Sequence, residues 1–127
     1  MLEVPELVEK FQSSVVRIDT RGGDYGGGTG IIYSPQGLAL TNCHVVAGAT
    51  SLRVIVTNAD GTKERLRAGV LGTAPDVDIA VVQFWGANYG NYVPAQLGSV
   101  NDIAEADKVV ALGYPHPELT GANLIVT

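Results

Sequence analysis

Cysteine occurs once in this 127-residue chain, histidine twice, tryptophan once and basic residues eight times. Each scarcity removes a class of function. A single thiol, Cys43, can form neither an internal disulfide nor a thiolate metal cluster. Eight Lys and Arg against thirteen Asp and Glu leave a net charge of −5, and the basic residues are scattered along the sequence, with Arg65 and Arg67 the densest pair. That balance disfavours nucleic acid or an anionic membrane surface as partner, because both select clustered cations. No apolar run approaches the length of a membrane span, and no signal peptide opens the sequence. Charged residues are also few, at 17%, against 46% hydrophobic ones, so the chain can bury a core and is not compositionally disordered.

What is present is glycine, 16 residues of it, placed between short apolar stretches. Residues 4–14 read as a short helix: Pro5 suits a first helical position, Glu6 and Glu9 suit the positive end of the dipole, and Leu7, Val8 and Phe11 share a side. From Ser14 the period changes to that of a strand, with Val16 and Ile18 alternating with Arg17 and Asp19. A glycine-dense loop leads into Ile31-Ile32-Tyr33, and the turn Ser34-Pro35-Gln36-Gly37 feeds Leu38 to Leu40. Leu52–Val56 and Lys63–Leu71 flank an Asp60-Gly61 hairpin signal. Ile79–Trp85 reads as a strand buried on both faces. Residues 86–107 read as an irregular connection, and Val109–Gly113 and Asn123–Val126 as two further strands. Seven or so short strands and one small helix predict an all-β barrel or sandwich.

Two polar residues interrupt this pattern. His44 follows the apolar run Leu38-Ala39-Leu40 within Thr41-Asn42-Cys43-His44-Val45-Val46. Asp78 stands 34 positions later, directly before Ile79-Ala80-Val81-Val82. Singly, each has a plain explanation, as a core histidine bonded to a carbonyl and as a turn-forming aspartate. Together they are a candidate acid–base pair. An imidazole acts as a general base near neutral pH when a carboxylate orients its ring and stabilises the imidazolium. Asp76, after Pro75, is the better turn residue.

The ordered segments GGGTGIIYSPQGLALTNCHVVAGA, DGTKERLRAGVLGTAPDVDIAVV, VPAQLGS and EADKVVALGYP resemble the N-terminal half of a trypsin-like serine protease of the HtrA (Deg) type. The resemblance runs from about Ser14 to Thr127. It implies a six-stranded antiparallel β-barrel, the first of two, with residues 1–13 as an N-terminal helix or arm and 14–127 as the barrel. It implies that His44 is the catalytic histidine and Asp78 the catalytic aspartate, with no cofactor or metal. Peptide or protein is the implied substrate, and an extracytoplasmic compartment the implied location. Gly113-Tyr114-Pro115 falls where such proteases cross to the second barrel.

The family's nucleophile does not match any residue here. Its attacking serine lies in a glycine-flanked segment of the second barrel, whose amides form the oxyanion hole. Of Ser13, Ser14, Ser34, Ser51 and Ser99, only Ser99 follows a glycine, and it lacks the strained turn. Cys43 precedes His44 directly, and in extended backbone the two side chains diverge, so it reads as a small buried filler rather than a nucleophile. His116, between Pro115 and Pro117, reads as a solvent-facing loop residue. The expectation is therefore a chain that supplies histidine and aspartate, is inactive alone, and exposes an apolar inter-barrel face prone to self-association. Two alternatives remain in view. One is a non-catalytic binding barrel in which His44 and Asp78 are relics. The other is a nucleotide site at Gly22–Gly30, which is disfavoured because those glycines lead into a strand and carry no following Lys.

Overall fold

A computed structural model describes residues 3–23, 26–114 and 125–126. Helix α1 (Val4–Phe11) ends in a single 3-10 turn over Gln12–Ser14, so the expected helix is real but tightens in its last turn. Six antiparallel strands follow: β1 (Val15–Arg21), β2 (Gly27–Ser34), β3 (Leu38–Thr41), β4 (Ser51–Thr57), β5 (Lys63–Ala74) and β6 (Ile79–Phe84). They close in the order β1-β2-β3-β6-β5-β4, the ring completed by β1 against β4. A four-residue helical turn, α2 (Cys43–Val46), separates β3 from β4. The short strands β7 (Leu112–Gly113) and β8 (Ile125–Val126) pair with each other outside the barrel.

Alternation builds the interior. Val16, Ile18, Ile32, Ala39, Val54, Val56, Ala80, Val82 and Phe84 are all inward and essentially inaccessible, each branched or aromatic side chain contributing roughly 1.5–3 kcal/mol by leaving water. Val45 and Val46 of α2 and Tyr92 close the same cluster. The Phe84 and Tyr92 rings meet edge to face with centroids 5.1 Å apart. Tyr92 donates to Glu64 Oε1 at 3.4 Å, which satisfies its hydroxyl where β5 begins.

Glycine is sterically required at several points of the barrel, two of which shape its wall. Gly28 points inward against Val45, and a Cβ there would lie 2.7 Å from Val45 Cγ2, so only a bare α-carbon lets α2 settle on the barrel wall. Gly37 has φ +78°, and an added Cβ would collide with the Phe84 carbonyl oxygen. The Asn58–Thr62 tip between β4 and β5 is a tight turn with Gly61 at φ +87°, as the Asp-Gly signal predicts.

Two expectations change. Strand β6 is not buried on both faces: Ala80, Val82 and Phe84 point inward, whereas Ile79 is 42% exposed and Val81 half-buried. The alternation is hidden in the sequence because the outward positions are also apolar. The strand expected over Val109–Gly113 shrinks to Leu112–Gly113, with Val109 exposed and unpaired with any strand. Residues 86–107 do form an irregular connection, held by a 3-10 turn at Val100–Asp102 that Ser99 and Asp102 cap reciprocally. His116, expected on a loop, lies outside the described residues.

Candidate active site

Strands β3 and β6 are hydrogen-bonded neighbours, with Thr41 opposite Ala80 and Leu40 opposite Val81. His44 lies just beyond the end of one and Asp78 just before the start of the other, so the ladder itself brings together two residues 34 positions apart. Thr41 anchors the end of β3 by donating its hydroxyl to the Thr29 carbonyl at 2.7 Å.

Asp78 adopts the left-handed region, φ 55° and ψ 46°, at the end of the 3-10 turn Pro75–Val77. Asparagine and aspartate tolerate this conformation better than most residues. It lets one residue clamp α2 from several sides. The Asp78 carbonyl accepts from Asn42 Nδ2 at 3.0 Å and from the Cys43 amide at 3.2 Å. Asp78 Oδ1 accepts from the His44 amide at 2.8 Å, and Oδ2 lies 2.6 Å from His44 Nδ1. Both carboxylate oxygens are thus engaged by the same histidine, one by its backbone and one by its ring.

The electrostatics follow from this geometry. The His44 amide, and after it the His44 side chain, hold the Asp78 carboxyl below the usual aspartate range, outweighing slight desolvation. An ionised carboxylate only accepts, so the proton shared with Nδ1 belongs to the imidazole, and in the neutral form of the ring the lone pair sits on Nε2. The pair is partly open to solvent: the side chains of His44 and Asp78 are 50% and 44% exposed. Beside them lies a hollow of about 270 Å³ lined by Thr29, Ile31, Leu40, Thr41, Asn42 and Ile79, with Ile31 and Ile79 both exposed.

Cys43 needs a different argument from the one the sequence supplied. It opens a helical turn rather than lying in extended backbone, so its side chain diverges from that of His44 by about 100° instead of 180°. It is a half-buried free thiol. Ser99 is a capping residue whose hydroxyl accepts from the Asn101 amide at 3.2 Å, and Ser34 accepts similarly from Gln36. Among the described residues no group of three His, Cys, Asp or Glu side chains could hold a metal ion, and no helix is long and apolar enough to cross a membrane. Asn42 adds a contact that the sequence does not announce: its side chain ties α2 to the Asp78 carbonyl.

Comparison with known proteins agrees with this architecture. A sequence model of the trypsin-like peptidase domain matches residues 28–125. The serine protease PepD of Mycobacterium tuberculosis is 36% identical over 120 residues, covering 88% of this chain and 25% of PepD. Protease Do-like 1, chloroplastic, of Arabidopsis thaliana is 38% identical over 90 residues, covering 71% and 19%. A protein of Pseudomonas savastanoi pv. phaseolicola named "Probable periplasmic serine endoprotease DegP-like" is 34% identical over 88 residues, covering 69% of this chain and 17% of that protein. The chain thus spans a quarter or less of the length of these curated relatives. The crystal structure of Deg5 superposes with a TM-score of 0.80 at 28% identity, covering 99% of this chain and 63% of that one. The MamO protease domain of Magnetospirillum magneticum, at 20% identity and a TM-score of 0.71, shares the fold. With the closed barrel in hand, these matches place the chain in the trypsin-like peptidase domain family, as the N-terminal portion of an HtrA-type protease domain.

Proposed function

We propose that this barrel supplies the histidine and aspartate of a serine endopeptidase. His44 Nε2 takes the proton from an attacking serine and returns it to the leaving amine, while Asp78 holds the ring and the tautomer. The observation that carries this reading is the double engagement of Asp78, with Oδ1 on the His44 amide and Oδ2 2.6 Å from Nδ1. The ring contact sets the tautomer, and the amide contact fixes the carboxylate, and through it the ring, relative to the backbone.

The serine and the oxyanion hole come from outside this chain. Residues 1–13 then act as an arm, and residues 14–127 as the first barrel and its crossing. Exposed Ile31 and Ile79, beside the hollow at the pair, suit the seat of a second barrel, and in its absence they favour self-association. DegP-like naming among the relatives supports an extracytoplasmic setting. General acid–base help of roughly 10² to 10⁴ in rate has nothing to act on without nucleophile and oxyanion donors. The chain alone therefore does not hydrolyse peptides and takes no fluorophosphonate label. The same barrel joined to a segment bearing a glycine-flanked serine labels, and loses labelling when His44→Ala is introduced. Labelling of the isolated chain, abolished by heat, or label uptake indifferent to His44→Ala in the joined protein, would overturn the reading.

A further inference from the structure

The strand register gathers what the sequence scatters. Arg17, Arg21, Arg53, Lys63, Arg65 and Arg67, six of the chain's eight basic residues, occupy outward positions on β1, β4 and β5. Directly paired residues share a face. The ladders Asp19–Arg53–Arg67 and Arg17–Ile55–Arg65 therefore form adjacent rows, with Arg21 opposite Ser51 in a third. Asp19 is the single acidic residue among the outward positions of these strands, although the whole chain carries a net charge of −5. Arg21, Arg53, Arg65 and Arg67 are exposed and, among the described residues, stand in no ion pair. Arg53 lies directly opposite Arg67, a like-charge pairing that costs stability unless an anion covers it.

We propose that this sheet face docks an extended acidic polypeptide segment through guanidinium–carboxylate pairing. Two shallow hollows of about 350 and 320 Å³ share Arg21, Ser51 and Arg53, one extended by Arg67 and the other by Arg65. Alternate residues of β5 repeat every 6.6–6.8 Å or so, the pitch at which an extended peptide presents alternate carboxylates. Five of the six cations are arginines, whose planar fork matches a carboxylate with two donors. The face already holds one carboxylate by a single guanidinium contact: Arg17 Nε donates to Asp19 Oδ1 at 2.7 Å. No aromatic residue occupies an outward position on β1, β4 or β5, so stacked nucleic-acid bases would find no platform. The charge separation thus favours an acidic polypeptide over a single-stranded nucleic acid. The face uses none of the residues at the His44–Asp78 pair, so its test stands apart from the proposed hydrolysis.

The test is fluorescence anisotropy of the full chain with a labelled peptide of alternating Glu and Ser. The same peptide with Gln for Glu and an oligothymidylate of similar length serve as comparison probes. The Glu peptide should bind best, and lose at least about tenfold in affinity between about 20 and about 200 mM salt as the Debye length shrinks. Arg53→Ser with Arg67→Ser should weaken it by about tenfold or more, with thermal stability kept or raised because a like-charge pair is gone. Arg21→Ser with Arg65→Ser provides an independent pair should the first fail to fold, and Lys10→Ser, off this face, should leave binding unchanged. Equal binding of the Gln peptide, tighter binding of oligothymidylate, or indifference to both arginine pairs would each overturn the proposal. So would a wild-type dimer that ignores the peptide and that Arg53→Ser with Arg67→Ser splits into monomers, since the occupant would then be a second copy.

Discussion

Replacing Asp78 by asparagine separates geometry from charge. The carboxylate accepts from two donors of His44, the backbone amide at 2.8 Å and the ring nitrogen Nδ1 at 2.6 Å. A carboxamide has one oxygen and one NH2 group to offer. The His44 amide can only donate, so the Asn oxygen must stay with it and the NH2 must face the ring. Nδ1 then has to accept, and the ring proton moves to Nε2. The variant should fold with its α2 contacts in place, because the Asp78 carbonyl still receives Asn42 and Cys43, yet its tautomer should invert. Long-range nitrogen–proton correlation spectra report this directly: Nδ1–H dominates in the parent at neutral pH, and Nε2–H by roughly tenfold or more in Asp78→Asn. In a complete enzyme, kcat should fall by about 10⁴-fold with little change in KM. An unchanged tautomer in Asp78→Asn would refute the argument, because it would mean that the ring takes its orientation from some other group.

Further outcomes follow from the core and from acid. Phe84→Ala, which empties a fully buried position and unseats Tyr92, should cost about 3–5 kcal/mol in urea unfolding, a large part of a typical domain's 5–15 kcal/mol; a loss under about 1 kcal/mol would show that the barrel refills the space. Asp78 and Asp60 both have carboxyls held below their ordinary values, the latter first by the Thr62 hydroxyl and then by the Thr62 amide. Each therefore stabilises the fold above the unfolded value near pH 4 and loses that contribution as pH falls through the lower folded value. Melting temperature should drop more gently below about pH 4 in Asp60→Asn than in the parent; identical acid limbs would count against it.

The barrel was legible because its elements carry strong local signals: alternation at Val16 and Ile18, the Asp-Gly tip, and the turn at Pro35-Gln36-Gly37. The His44–Asp78 pair was legible because each residue interrupts an apolar run, where an uncompensated polar group is costly. What stayed hidden depends on position in space. The helical turn at Cys43–Val46 is too short to show a period, and nothing in its composition separates it from a strand end. The left-handed backbone at Asp78 leaves no mark on a sequence, since aspartate is common in ordinary turns. Ile79 and Val81 concealed the two-faced character of β6 because the outward positions are apolar too. The six basic residues looked dispersed because their proximity is created by register between strands that are neighbours only in the closed ring.

The pairing of β3 with β6 has a mechanical corollary. Loops transmit positional error freely, whereas two bonded strands behave like the rungs and rails of a rigid frame, so the imidazole and the carboxylate inherit a fixed separation from the four rungs between Leu38–Thr41 and Ala80–Gln83. Drift in the remote hairpin or in the connecting stretch after Phe84 can therefore accumulate over generations without dragging the two groups apart.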